Sequence, residues 1–123
     1  MSLQGIDTVI IRVSNLEISK KWYTENLNLN QIWEDPILKL AVLETGGPTS
    51  LTIWQTDKVI NLDRDTSSYP IFRTFDAIQL RKELIDKGVN VSELIEDSSV
   101  KYFQIYDPDG NVIEACQVVY INF

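Results

Sequence analysis

From residue 6 onward, hydrophobic and polar positions change period, and then the same order returns. "IDTVIIRVSNL" opens on a β-branched run, which favours a buried or half-buried strand over about residues 6–13. "SNLEISKKWYTENLNL" then shifts to helical spacing. Leu16, Ser19, Trp22, Tyr23 and Leu27 fall near one face, and Ser14 or Asn15 can cap the first turn. Short strands follow in "NQIWED", "LKLAVLE" and "SLTIWQT", divided by turn signals at Pro36 and at Gly46-Gly47-Pro48.

The segment "DKVINLDRDTSS", from residue 57, is polar and aperiodic and reads as a linker over about residues 57–67. After it the order repeats. "YPIFRTF" is a strand, Asp76 caps a helix over "AIQLRKELIDK", and Gly88 stops that helix. "NVSELIE", "KYFQIY" and "NVIEACQVV" are three further strands, the last two joined across Asp107-Pro108-Asp109-Gly110. That tetrapeptide is turn chemistry: proline sets φ, aspartate bonds its own backbone, and glycine permits positive φ.

The pattern predicts an α+β fold: strand, helix and three strands, written twice within one domain of 123 residues. The first βαβββ module covers about residues 5–56 and the second about residues 68–123. One such module leaves a sheet with an open face, so two are expected to pair into a curved, cup-shaped mixed sheet.

Composition narrows the function classes. With 44% apolar and 24% charged residues the chain is ordinary for a globular protein, and its length supports a core without disulfides. A net charge of −7 argues against nucleic acid, whose phosphate backbone is bound chiefly by Lys and Arg. No apolar run approaches the length of a membrane span and no signal-like start is present, so a cytoplasmic location away from the membrane is expected. Cys116 is the single cysteine and histidine is absent, which removes intrachain disulfides and every nucleophile–His arrangement. There is no Gly-rich phosphate loop.

The order of elements and three local motifs resemble the vicinal oxygen chelate superfamily, which includes glyoxalases, bleomycin-resistance proteins and extradiol dioxygenases. "DTVIIRVSNLEISKKWYTENLNL" looks like the family's first strand and helix, with its aromatic pair at Trp22-Tyr23. "FRTFDAIQLRKELIDKGV" is similar to the start of its second module, and "YDPDGNVIE" to its closing hairpin. In metal-dependent members, strands one, four, five and eight each supply one ligand: His or Gln, Glu, His and Glu. Carried over, those places fall on Thr8, Thr52, Tyr69 and Glu114, of which only Glu114 matches. Zinc takes about four N, S or O donors, and neutral hydroxyls are poor ones. Magnesium or manganese would want more carboxylates. The resemblance therefore implies a member with no metal and no cofactor.

Strand alternation places further residues on the face of those four positions. They are Ile10 and Arg12, Ser50 and Trp54, Ile71 and Arg73, and Val112 and Cys116. Thr8, Arg12, Thr52, Trp54, Tyr69, Arg73 and Glu114 are the candidate ligand-binding residues, a mixture suited to a small molecule with a flat or apolar body and a polar group. Arg12 either grips an anion or pairs with Glu114, and Arg73 lies near the mouth. Glu114 has three readings: metal ligand, general base raised by apolar neighbours, or a carboxylate satisfied by Arg12, Thr8, Thr52 or Tyr69. Trp54 stacks on a ligand or packs in the core, while Trp22 is core by its family counterpart. Trp33 packs in the core, lines the mouth or sits in a dimer contact, and Cys116 reads as inert packing.

Two functions remain in contention. One is a metal-independent binding protein that sequesters a drug or metabolite, as the resemblance to bleomycin-resistance proteins implies. The other is a glyoxalase-like lyase or isomerase, or a dioxygenase, using Glu114 as base or ligand. Family likeness also implies a homodimer, in which the apolar "VVYINF" tail ending at Phe123 covers a sheet edge or an interface.

Overall fold

The protein is described by a computed structural model that covers residues 2–119. The chain divides into two compact units, Met1–Asn61 and Leu62–Phe123. The first holds β1 (Thr8–Val13), α1 (Leu16–Asn26), β2 (Asn30–Asp35), β3 (Leu40–Glu44) and β4 (Ser50–Gln55). The second holds β5 (Ile71–Arg73), α2 (Ala77–Asp86), β6 (Ile95–Glu96), β7 (Val100–Tyr106) and β8 (Val112–Val118). Each unit is an open four-stranded mixed sheet, in order β1-β4-β3-β2 and β5-β8-β7-β6. The first strand of each unit runs parallel to the last, and the other pairs are antiparallel. The expected α+β architecture, strand–helix–three strands repeated, is what forms.

One face of each sheet is covered by that unit's helix. In the first unit Ile11, Val13, Ala41, Leu43, Leu51 and Ile53 are buried together with Leu16, Ser19 and Tyr23 of α1. In the second, Phe103, Ile105, Ile113 and Ala115 are buried with Ala77 and Leu84 of α2. Alternation along β1, β4, β7 and β8 leaves the intervening residues on the opposite, open face. The aromatic pair divides unequally: Tyr23 is fully buried and Trp22, expected in the core, is half-buried with its ring edge-to-face at 4.7 Å.

Both helices start on the same device. Asn15 accepts from Ile18 N and Asp76 from Gln79 N, each at 3.0 Å, which satisfies one orphan amide per helix. A second amide is taken from the sheet. Gln55 Oε1, at the end of β4, accepts from Leu16 N at 2.9 Å, and Gln117 Oε1, in β8, accepts from Ala77 N at 2.9 Å. Each glutamine thus ties a helix N-terminus to the last strand of its unit. Gln55→Ala and Gln117→Ala are each expected to lower stability by about 1 kcal/mol, read from urea melts. A loss near zero would show that water replaces the amide acceptor freely.

The chain reverses at Gly88, whose φ of +81° ends α2, and at Gly110, whose φ of +82° closes the β7–β8 turn. In that turn the Asp107 carboxylate is buried and accepts from Asp109 N at 3.0 Å and Asn111 N at 2.8 Å, as "DPDGN" implies. Two expected strands are shorter than the pattern suggested. β5 begins at Ile71, not Tyr69, because Pro70 has no N–H and only its carbonyl joins the ladder, accepting from Glu114 N at 3.1 Å. "NVSELIE" pairs only at Ile95–Glu96 and through an isolated bridge from Val91 to Ile105. Between them Ser92 N still donates to Gln104 O at 2.9 Å, but side chains take the next groups: Arg81 Nε donates to Ser92 O at 2.9 Å and Gln104 N donates to Ser92 Oγ at 2.8 Å. Phe123 and the end of the apolar tail lie outside the described residues. Among the described residues no helix is long and apolar enough to cross a membrane.

Candidate functional site

On the open face of the first unit, β1 presents Thr8, Ile10 and Arg12, alternating with Val9 and the buried Ile11 and Val13. Parallel pairing sets Ile10 beside Thr52 and Arg12 beside Trp54. Thr8 Oγ1 donates to Ser50 O at 3.2 Å and lies 2.7 Å from Thr52 Oγ1. With Thr8 donating to the carbonyl, Thr52 supplies the proton between the two hydroxyls. Both hydroxyls are therefore already partnered, and Thr52 is buried.

Arg12 is engaged on the same sheet. Its Nε donates to Trp54 O and its Nη2 to Gln55 O, both at 3.2 Å, and the guanidinium lies 4.7 Å from the Trp54 ring centroid. Trp54 Nε1 donates in turn to Leu38 O at 3.0 Å. The indole is thus fixed at its nitrogen and covered on one face by a cation. The sequence offered Arg12 as a partner for Glu114; the structure places its guanidinium on β4.

The open face of the second unit is different in kind. There an open cavity of about 570 Å³ is lined by Tyr69, Ser92, Glu93, Ile95, Tyr102, Gln104 and Glu114. Glu114 is 7% exposed and stands on β8 between Ile71 of β5 and Gln104 of β7. Within the described residues of this unit no side chain hydrogen-bonds its carboxylate or forms an ion pair with it. Burial pushes its pKa up from the ordinary carboxylate range, because the charged form loses hydration. Gln104 is oriented by Tyr106, whose hydroxyl donates to Gln104 Oε1 at 3.3 Å. The Tyr106 ring carries the Arg64 guanidinium 4.4 Å from its centroid.

Cys116 lies two residues beyond Glu114, in register with Arg73 and Tyr102. Burial raises its thiol pKa and the Glu114 charge adds to this, while Arg73 opposes it. A thiol held up in this way is a poor nucleophile, consistent with inert packing. Arg73 and Tyr69 are exposed, Tyr69 at 39%.

Of the expected residues, Thr8 and Thr52 form one contact, Arg12 and Trp54 another, and Tyr69 and Glu114 share the cavity. Sequence reasoning missed Ser92, Glu93, Ile95, Tyr102 and Gln104. For the last two a signal existed: alternation in "KYFQIY" and the tight turn after it set Gln104 opposite Glu114. Ser92 and Glu93 carry no such signal, because they belong to no regular strand. Among the described residues no group of three or more His, Cys, Asp or Glu side chains is placed to hold a metal ion.

Solved structures share this architecture. One is an integron cassette protein from the mobile metagenome of the Halifax Harbour sewage outfall, with a TM-score of 0.81, 22% identity and coverage of 94% of this chain and 100% of that one. A second is an antibiotic binding protein from Streptomyces sp. CB03234, with a TM-score of 0.77, 22% identity and coverage of 96% and 98%. A third is lactoylglutathione lyase from Agrobacterium tumefaciens, with a TM-score of 0.76, 13% identity and coverage of 95% and 96%. At these identities the likeness speaks for the fold. No curated protein gives a significant match by sequence. A family model does, and it spans residues 5–115, from the segment before β1 into β8. With that match laid over the repeated strand–helix–three-strand order, the chain belongs to the glyoxalase/bleomycin resistance protein/dioxygenase superfamily.

Proposed function

We propose that this protein binds a small molecule without a metal, sequestering a drug or metabolite in the cavity on the open face of its second sheet. The observation that carries the reading is Glu114: a carboxylate 7% exposed that lines a cavity of about 570 Å³ with two tyrosine rings. The cavity size suits a small organic molecule. The donor set supports the metal-free part. At the four positions where metal-dependent relatives place ligands, this chain has Thr8, Thr52, Tyr69 and Glu114. Thr8 and Thr52 spend their hydroxyls on each other and on Ser50 O, and neutral hydroxyls are weak donors to zinc or iron. These residues do not fit a transition metal.

A second reading has one observation in its favour. Burial holds the Glu114 pKa up, as suits a general base in a lyase or isomerase. Arg12, which that chemistry would use to hold an anion, is occupied on β4. Binding is therefore preferred.

We further propose a cytoplasmic homodimer. Its support is the edge strand β2 and the turn after it, where Ile32, Trp33, Ile37 and Leu38 are each more than half exposed. Elemental analysis and calorimetric titration with Zn, Ni, Mn and Fe test the metal-free reading on untagged protein. The expected result is no stoichiometric divalent metal and no tight titration. One tight equivalent would overturn the reading and restore metal-dependent chemistry. Sedimentation equilibrium on the same sample is expected to give twice the chain mass of 14.1 kDa; a monomer at micromolar concentration would remove the dimer.

A further inference from the structure

A carboxylate nine-tenths buried, lining a cavity and lacking a partner in its own unit, is an incomplete arrangement. We propose that the ligand completing it is a monocation, an ammonium or substituted ammonium group on a flat apolar body. Glu114 is its counter-ion, and the Tyr69 and Tyr102 rings receive the body. This rests on the small-molecule-binding reading above and adds the chemical class.

The lining itself selects for positive charge. Among the described residues it holds two carboxylates, Glu93 and Glu114, and no Lys or Arg. Its neutral polar groups are partly spent. Ser92 Oγ accepts from Gln104 N at 2.8 Å and donates to Glu93 O at 3.0 Å, and Gln104 Oε1 accepts from Tyr106. An anion entering here would meet two like charges, whereas a cation offsets the cost of keeping Glu114 ionised away from water. Tyrosine faces attract cations and stack on flat bodies.

The groups facing Glu114 within this unit are few. β5 offers Ile71 and, two residues on, Arg73, which stands in register with Cys116 and does not line the cavity. β7 offers Gln104 and Tyr102, the segment before β5 offers Tyr69, and the segment before β6 offers Ser92 and Glu93. Cys116 shares its strand. Burial raises the Glu114 pKa above the ordinary carboxylate range, and only the ionised form can act as a counter-ion. Affinity for a cation therefore rises as pH passes upward through the Glu114 titration, and within that pH range binding releases a proton.

Three probes of one shape separate the possibilities: 2-naphthylmethylammonium, 2-naphthylmethanol and 2-naphthoate. Each is titrated into the wild-type chain and into Glu114→Gln, by calorimetry in two buffers of different ionisation enthalpy and by NMR of the Tyr102 and Gln104 amides. The ammonium is expected to bind roughly tenfold more tightly than the alcohol, with naphthoate weakest. Glu114→Gln is expected to remove that preference, bringing the ammonium down to the affinity of the alcohol, and any proton release is expected for the ammonium alone. Equal binding of ammonium and alcohol, tighter binding of naphthoate, or indifference to Glu114→Gln would overturn the cation while the binding reading stands. If no probe perturbs the Tyr102 or Gln104 amides at millimolar concentration, both fall.

Discussion

Phe103→Ala is expected to cost about 3–5 kcal/mol of stability. Phe103 is fully buried at the centre of β7, paired across the ladder with Ala115 of β8, on the face that α2 covers. Its cross-strand partner Ala115 is too small to fill the space, so truncation is expected to leave a cavity. The loss is comparable with the total stability of a domain of this size, about 5–15 kcal/mol. Urea melts followed by tryptophan fluorescence and by far-ultraviolet circular dichroism check it. A loss below about 1 kcal/mol would mean that the second unit repacks around the hole. The same change reaches the cavity, since Tyr102 and Gln104 flank Phe103 on the strand and line the opposite face.

Glu114→Gln should act in the other direction. At neutral pH it is expected to stabilise the protein by about 1 kcal/mol, and in acid to do nothing. Burial raises the folded-state pKa above the ordinary value of 4.5 that the unfolded chain retains. Between those two values the folded state holds a proton that the unfolded state has released. Wild-type stability therefore falls as pH rises through that window, and the full penalty applies above the folded-state pKa. Glutamine has nearly the same shape and does not titrate. The variant should match the wild type below about pH 4, where the glutamate is neutral in both states, and exceed it progressively above. Urea melts from pH 3.5 to 8 give the difference directly, with other titrating groups cancelling. A difference that stays flat, or a variant less stable at neutral pH, would show that the carboxylate has a partner that compensates its burial. Stability gained on removing a carboxylate that lines a cavity fits a group kept for binding rather than for folding.

Much of this architecture is legible in the sequence. Both helices announce themselves through period and cap: Asn15 and Asp76 bond the amides that their positions imply. "DPDGN" forms the predicted turn, with Asp107 holding the backbone of Asp109 and Asn111. Where the reading overran, a side chain or a proline had taken the ladder's hydrogen bonds. Pro70 trimmed the start of β5, and Arg81 and Ser92 replaced a strand with a bend.

The site was less visible, for a related reason. Alternation says which way a side chain points but not what holds it. It put Arg12 on the open face correctly, yet the carbonyls of Trp54 and Gln55 lie nearer to hand on β4 than any partner inferred from spacing. It put Glu114 on the open face too, but the cavity there is also lined by residues such as Tyr102 that are placed by register rather than by local pattern. Charge and period are properties of one segment. A cavity belongs to several at once.

The twin glutamine ties have a use beyond stability. Counting back from Gln55 and Gln117 through identical strand pairings aligns Thr52 with Glu114, Ile10 with Ile71, and Arg12 with Arg73. The molecule thus carries a built-in comparison: one sheet frame presented twice, with a hydroxyl at the central position in one copy and a carboxylate in the other. Thr52→Glu and Glu114→Thr exchange only that difference. What each variant gains or loses in ligand affinity then measures the carboxylate against a background that the protein itself supplies.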